Sequence, residues 1–148
     1  MVLVVDCSVL SKWELPEEEH VAQAMELMGD WLADAVAFRC PDLLPSEIGS
    51  PFLRAVRRNR ITAAEATVSI QNLLNVECDL QPSSPLVPRT FEIARQHNQR
   101  IYDRFYVALA EREGIEFWTS DQRLYNALHA QFPFVRFIAD YTSLRPIP

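Results

Sequence analysis

The chain alternates short, continuous apolar runs with longer segments in which apolar residues recur at helical spacing. The first pattern is typical of strands buried on both faces of a sheet, and the second of amphipathic helices. Strands are predicted at residues 2–6, 36–40, 78–80, 116–119 and 135–138. Helices are predicted at residues 8–13, 17–32, 43–58, 62–74, 88–97, 102–113 and 122–131. Because strands and helices alternate, the pattern predicts an α/β fold with a mostly parallel sheet.

Three local signals refine the predicted helix boundaries. Thr62 and Glu65 have the spacing of a capping box, which favours a helix start at residue 62. Gly114 is placed to end the helix that begins near residue 102. Pro51 is expected to kink or split the helix over residues 43–58, since proline has no amide proton to donate.

The length of 148 residues is that of a single domain with a full core, and no linker, repeat or low-complexity segment divides the chain. We expect the core to span about residues 1–138 and a loose tail to end in Pro146-Ile147-Pro148. No apolar run approaches the roughly 20 residues that span a bilayer. The N-terminus also lacks the pattern of a signal peptide. The sequence therefore predicts a cytoplasmic protein without a membrane partner.

Composition argues against several classes of function. Three glycines leave no room for a glycine-rich phosphate loop, which removes dinucleotide-binding and P-loop proteins. Three cysteines without C-x-x-C spacing favour small buried residues over disulfides or a zinc site. A net charge of −6 argues against a protein that coats nucleic acid, although it allows an enzyme that binds nucleic acid at a local site.

Four carboxylates stand where a charge is costly. Asp6 ends one predicted strand and Asp121 follows another, while Asp103 lies in the first turn of a predicted helix and Glu47 lies early in another. In open parallel sheets the crevice lies beyond the carboxyl ends of the strands, so these acids can converge at one edge. At about 5 Å and an effective dielectric of about 20, each carboxylate pair repels by roughly 3 kcal/mol. Such a cluster needs a cation, a basic partner or extra protons, and a hard-cation site for phosphodiester chemistry is the functional interpretation.

Each acid also has a structural explanation. An aspartate after a strand is commonly the N-cap of the next helix, and Glu47 alone would be a solvated helix residue. The hydroxyls of Ser8 and Thr119 accompany Asp6 and Asp121, where they can hold water or phosphate or act as local caps. Repetition of one pattern at several acids favours the functional interpretation.

The basic residues are almost all arginine, with Lys12 as the only lysine. Arg54, Arg57 and Arg58 share one face of a predicted helix. This face suits contacts to phosphate, but it is also the pattern of a solvated helix surface. The aromatic residues Tyr102, Phe105 and Tyr106 are predicted to be core or dimer contacts.

Four segments, in order, resemble the PIN domain, and within it the VapC-like ribonuclease toxins of bacterial toxin–antitoxin pairs. They are residues 4–13 (VVDCSVLSKW), 41–47 (PDLLPSE), 102–111 (YDRFYVALAE) and 118–124 (WTSDQRL). The similarity runs from residue 1 to roughly residue 138. It implies a three-layer α/β/α sandwich around a five-stranded, mostly parallel sheet, usually as a homodimer.

The same resemblance implies an endoribonuclease that depends on Mg²⁺ or Mn²⁺. The acids that would hold the metal and carry the catalysis are Asp6, Glu47, Asp103 and Asp121. The accessory hydroxyls would be Ser8 and Thr119. The implied partners are RNA and an antitoxin whose C-terminal segment covers the cleft, often with an arginine in the acidic pocket. Candidates for contacts to RNA phosphates are Arg54, Arg57, Arg58 and Arg104.

Two other functions remain open at this point. One is a catalytically idle PIN-like subunit whose role is to bind a partner. The other is a phosphatase of the haloacid-dehalogenase type, because Val4-Val5-Asp6 also begins that motif. The second acid that this motif requires, two residues after Asp6, is replaced by Ser8, which argues against the phosphatase.

Overall fold

A five-stranded parallel sheet forms the centre of the fold. The structure is a computed structural model that describes residues 1–97 and 101–145. The strands are Val2–Val5 (β1), Ala37–Pro41 (β2), Cys78–Gln81 (β3), Phe117–Thr119 (β4) and Val135–Phe137 (β5). They lie in the order β3-β2-β1-β4-β5, and each neighbouring pair is parallel. The prediction of an α/β fold with a parallel sheet is confirmed.

Eight α-helices connect the strands within the described residues. They are Cys7–Leu10 (α1), Val21–Leu32 (α2), Leu44–Glu47 (α3), Gly49–Arg57 (α4), Ala63–Leu74 (α5), Val87–His97 (α6), Arg104–Glu113 (α7) and Gln122–Leu128 (α8). Short 3₁₀ turns cover Ser11–Trp13, Ser84–Leu86 and Ile138–Asp140. Connections between parallel strands are right-handed, so a sheet that grows in both directions from β1 carries helices on both faces. This arrangement is the predicted three-layer sandwich.

The strand order fixes where a functional site can form. From β1 the chain moves to β2 and β3 on one side, and later to β4 and β5 on the other. The topological switch point therefore lies between β1 and β4. Ligands of open α/β sheets bind in the crevice at such a point, beyond the carboxyl ends of the strands. Asp6 and Asp121 follow these two strands.

Most of the local signals are confirmed. Thr62 and Glu65 form both hydrogen bonds of a capping box, and Gly114 ends α7 with a φ of 66°. The predicted helix over 43–58 is split at Ile48, and Pro51 lies in the first turn of α4, where proline is tolerated. The helix predicted to start at residue 17 begins only at Val21, after a left-handed His20 with a φ of 59°.

Residues 141–145 are tied to α2 through Asp30, whose side chain has no exposed surface. Its carboxylate accepts hydrogen bonds from the Tyr141 hydroxyl at 2.7 Å, the Ser143 hydroxyl at 2.7 Å, the Leu144 amide at 2.8 Å and Arg145 Nε at 2.8 Å. Burial alone would raise the pKa of Asp30, but these hydrogen bonds lower it to about 2. The predicted tail of residues 146–148 lies outside the described residues. None of the described helices has the length and apolar character needed to cross a membrane.

Candidate active site

Asp6 and Asp121 enter the site from the ends of the two central strands, and each one also caps a helix. Asp6 Oδ1 accepts hydrogen bonds from the amides of Ser8 at 3.0 Å and Val9 at 3.3 Å, which open α1. Asp121 Oδ1 accepts in the same way at the start of α8, at 2.9 Å and 3.1 Å. The structural and functional interpretations of these aspartates are therefore compatible, because the helix cap uses only Oδ1 of each residue.

Two hydroxyl groups hold the Asp6 carboxylate in place. Ser8 Oγ donates to Asp6 Oδ1 and Thr119 Oγ1 donates to Asp6 Oδ2, each at 2.5 Å. Backbone amides complete the network, because Ser120 N donates to Ser8 Oγ at 2.8 Å and Asp121 N donates to Thr119 Oγ1 at 3.1 Å. The predicted accessory hydroxyls thus lie against Asp6 and join the ends of β1 and β4.

A pocket of about 310 Å³ opens next to this network. Its walls include all four predicted acids, Asp6, Glu47, Asp103 and Asp121. Glu47 comes from the end of α3. Asp103 directly precedes α7, one residue outside the helix in which it was predicted to lie. Residues separated by more than a hundred positions in the sequence therefore share one cavity.

Burial and mutual repulsion both act on these carboxyl groups. The pKa of Asp6 is raised from 3.8 to about 7, mainly by burial and to a smaller extent by the charges of Asp103 and Glu47, against the hydrogen bonds from Ser8 and Thr119. Burial also raises the pKa of Glu47, and Asp103 adds to the effect. The pocket therefore favours either a proton or a cation.

Tyr106 is a site residue that was predicted to be only a core or dimer contact. Its side chain is 1 % exposed and stacks against Phe117, with ring centroids 5.7 Å apart. The Tyr106 hydroxyl donates a hydrogen bond to Glu47 Oε2, which lowers the pKa of Glu47 against the effect of burial. The spacing from Asp103 could have indicated this role, because residues three apart lie on the same face of a helix.

The arginines predicted to contact RNA differ in their placement. Arg54 lines the acidic pocket, and Arg54 and Arg58 both line a second pocket beside it. Arg57 is exposed on the same helix. Arg104 has no exposed surface, because α7 packs against β1, β2 and β4 and places this side chain in the interior. The structure therefore corrects the expectation that Arg104 contacts phosphate.

The chemistry of the pocket fits a hard divalent cation. Carboxylate and hydroxyl oxygens are the ligands that Mg²⁺ and Mn²⁺ prefer. Among residues 1–97 and 101–145, no three His, Cys, Asp or Glu side chains are grouped so that they could hold a metal ion by themselves. Mg²⁺ typically keeps several waters and binds through one or two carboxylates together with substrate phosphates. An open acidic pocket of this kind suits that mode of binding.

A fully parallel sheet with four acids beside its central switch point defines a PIN-like α/β protein. A family model described as the PIN domain matches residues 3–128, and the chain belongs to this family. Ribonuclease VapC9 of Mycobacterium tuberculosis is 34% identical over 102 residues, which cover 69% of this chain and 79% of that protein. Ribonuclease VapC3 of Pyrobaculum aerophilum is 30% identical over 132 residues, which cover 84% of this chain and 92% of that protein.

The solved structures give the same fold. The crystal structure of PAE2754 from Pyrobaculum aerophilum matches with a TM-score of 0.62 at 20% identity, over 86% of this chain and 79% of that one. The resemblance to VapC-like PIN proteins that the sequence motifs suggested is therefore confirmed.

Proposed function

We propose that this chain is an endoribonuclease that cleaves RNA phosphodiester bonds and acts as the toxin of a toxin–antitoxin pair. The observation that carries the proposal is the acidic pocket, where Asp6, Glu47, Asp103 and Asp121 converge at the switch point of a PIN-domain sheet. The relatives that bear the name ribonuclease VapC supply the reaction class. The reaction proposed here is hydrolysis of the RNA backbone.

The four acids are proposed to bind Mg²⁺ or Mn²⁺ and to position the reacting groups. A divalent ion bound there would lower the pKa of water and stabilise negative charge on the phosphate oxygens. Ser8 and Thr119 orient the Asp6 carboxylate at the wall of the pocket. Tyr106 occupies Glu47 Oε2, so Glu47 Oε1 is available to orient water.

The proposed partners follow from the same charges. An antitoxin segment with an arginine would neutralise the acidic pocket and block it, because a guanidinium pairs with carboxylates in a bidentate manner. The proposed assembly is a homodimer of single-domain chains, and the proposed location is the cytoplasm, where RNA and the antitoxin are present.

The test combines metal binding with RNA cleavage. We expect purified wild-type protein to bind Mn²⁺ or Mg²⁺ by calorimetry and to cleave bacterial total RNA, and we expect a chelator to stop cleavage. Asp103→Asn should lose both activities, because it removes one charge from the pocket at a position that makes no cap hydrogen bond. Asp34→Asn is the matched control. Asp34 is exposed with a φ of 57°, which asparagine tolerates, so the same change of charge should leave both activities intact.

Two results would contradict the proposal. If wild-type protein binds no metal at millimolar concentration and leaves RNA intact, the chain is a partner-binding PIN subunit. If cleavage persists in the chelator or in Asp103→Asn, a contaminating nuclease or another site is responsible.

Tyr106→Phe should weaken the site without removing a carboxylate. The lost hydrogen bond leaves Glu47 Oε2 half-buried and unrestrained, which raises the pKa of Glu47. We expect metal affinity to fall about 10- to 100-fold, as for other groups that orient metal ligands. The acidic limb of the pH–rate profile should also move to higher pH. Calorimetry and initial rates from pH 5 to 9 measure the two effects, and an unchanged profile would show that Tyr106 only fills space.

A further inference from the structure

A second pocket, of about 230 Å³, adjoins the acidic one and has the opposite charge. We call it the basic pocket. Its cationic side chains are Lys12, Arg54, Arg58 and Arg60, and the carboxylate among its lining residues is Glu18. The chain as a whole carries a net charge of −6, so this concentration of positive charge is local.

Lys12 is the central feature of the basic pocket. The side chain lies in the 3₁₀ turn after α1 and is only 6 % exposed. A buried ammonium is costly unless an anion or hydrogen-bond acceptor faces it. Across residues 1–97 and 101–145, Lys12 makes no hydrogen bond or ion pair. The negative charges that act on Lys12 are those of Glu18, Glu19 and Asp6, but none of them forms an ion pair with it, and Glu18 is paired with Arg60 at 2.7 Å.

The neighbouring arginines are also available to a ligand. Arg54 and Arg58 are exposed at the end of α4, and neither forms an ion pair within the described part of the chain. The hydroxyl groups of Ser8 and Ser11 lie in the same wall. Lys12, Arg54 and Arg58 form no ion pair with the described residues, and Lys12 is buried. Together they make a site for an anion with several oxygens, such as phosphate.

The two pockets share one wall. Ser8, Ser11, Pro51 and Arg54 line both. A ligand that leaves the acidic pocket along this wall enters the basic pocket directly. A nucleic acid strand fits this arrangement because its charges repeat along the backbone, so one phosphate can lie in each pocket.

We propose that the basic pocket binds an RNA backbone phosphate next to the phosphate that is cleaved in the acidic pocket, with Lys12 as its buried contact. This inference rests on the proposed function and adds a subsite to it. Lys12 is a positioning residue, because it would contact the RNA strand at a neighbouring phosphate and would not touch the reacting atoms.

The test measures binding of a short fluorescein-labelled oligouridine by anisotropy in Mg²⁺ over a series of salt concentrations. All variants carry Asp6→Asn so that the RNA stays intact. We expect Lys12→Met, which keeps the apolar stem, to weaken binding about tenfold, because a hydrogen bond between charged groups is lost. The slope of log affinity against log salt should fall by about 0.7, as for one lost phosphate contact on a single strand.

Two further variants keep the test decisive. Arg58→Gln changes an exposed residue, so it does not endanger folding, and it should act in the same direction as Lys12→Met. Arg95→Gln makes the same change of charge on α6, which lines neither pocket, and it should leave affinity and salt slope unchanged. In the cleaving background, Lys12→Met should raise KM more than it lowers kcat, because the contact is made before and during the reaction.

The outcomes separate this inference from the proposed function. If wild-type protein cleaves RNA while Lys12→Met and Arg58→Gln bind oligouridine with unchanged affinity and slope, the subsite is wrong and the nuclease stands. If the protein neither cleaves nor binds RNA, both proposals fail. If oligoglutamate binds through Lys12 and oligouridine does not, the basic pocket receives an acidic protein partner, which also overturns the RNA subsite.

Discussion

Asp6→Asn is expected to abolish RNA cleavage and to make the metal-free protein more stable at pH 8. The loss of activity should be at least about 10³-fold, comparable to removal of a central stabilising group from an active site. The gain in stability has a separate cause, because Asp6 is a buried carboxyl group surrounded by other acids. The same residue would thus be required for the reaction and unfavourable for the folded state.

The pKa of Asp6 determines the sign of the stability effect. Burial raises it from 3.8 to about 7 in the folded protein, so the folded state holds a proton that the unfolded chain releases. The favourable contribution is complete below pH 4 and is lost as pH rises from about 4 to about 7. This shift corresponds to about 4 kcal/mol at pH 8. The asparagine of the variant would weaken the hydrogen bond from Thr119, which costs about 1 kcal/mol, so we expect a net gain of about 2–3 kcal/mol.

Urea unfolding in a chelator at pH 5 and pH 8 measures this effect. The free energy of unfolding of wild-type protein should fall over this range, and that of Asp6→Asn should depend less on pH. Added Mg²⁺ should stabilise the wild type at pH 8 more than the variant. Asp34→Asn controls for net charge. If the free energy of unfolding depends on pH equally in wild type and Asp6→Asn, the pKa of Asp6 is not raised in the folded protein.

Asp30→Ala is expected to destabilise the protein by about 3 kcal/mol, through loss of several hydrogen bonds to one buried charge. The Tyr141 hydroxyl, the Leu144 amide and Arg145 would all lose the same acceptor. Because the pKa of Asp30 is lowered from 3.8 to about 2, its stabilising contribution is present above pH 4 and is lost as pH falls through 2. The difference between variant and wild type should therefore shrink in strong acid.

Arg145→Gln separates the ion pair from the hydrogen-bond network in the same experiment. The Arg145 side chain is 46% exposed, so solvent screens its interaction with Asp30. We expect this variant to lose less than about 1 kcal/mol, as is usual for an exposed ion pair. Equal losses in the two variants would mean that the ion pair, and not the hydroxyl and amide donors, holds residues 139–145 against α2.

The sequence predicted the strands well because they depend on local patterns. Continuous apolar runs mark strands that are buried on both faces, and all five were found. The parallel topology then brings the ends of β1 and β4 together, so Asp6 and Asp121 had to meet once the class of fold was known. The capping box at Thr62 was likewise confirmed, because its two hydrogen bonds lie within one turn of helix.

The rest of the site depends on tertiary packing that the local pattern does not contain. The burial of Arg104 follows from the packing of α7 against β1, β2 and β4, whereas its charge had suggested an exposed side chain. Tyr106 reaches Glu47 across 59 residues, a contact that needs α3 and α7 to be neighbours. Lys12 was notable in the sequence only for being the single lysine, and its burial among other cations emerges from the fold.

The double use of Asp6 and Asp121 as helix caps affects how descendants of this protein can lose activity. Replacing either residue with Ala removes the acceptor for two backbone amides, so selection for a folded chain retains Asp, Asn or Ser there even after cleavage is no longer needed. Asp103 accepts no cap hydrogen bond, and Glu47 is the last residue of α3. Replacing either of these residues therefore removes no helix cap, although loss of Glu47 would leave the buried Tyr106 hydroxyl without its acceptor.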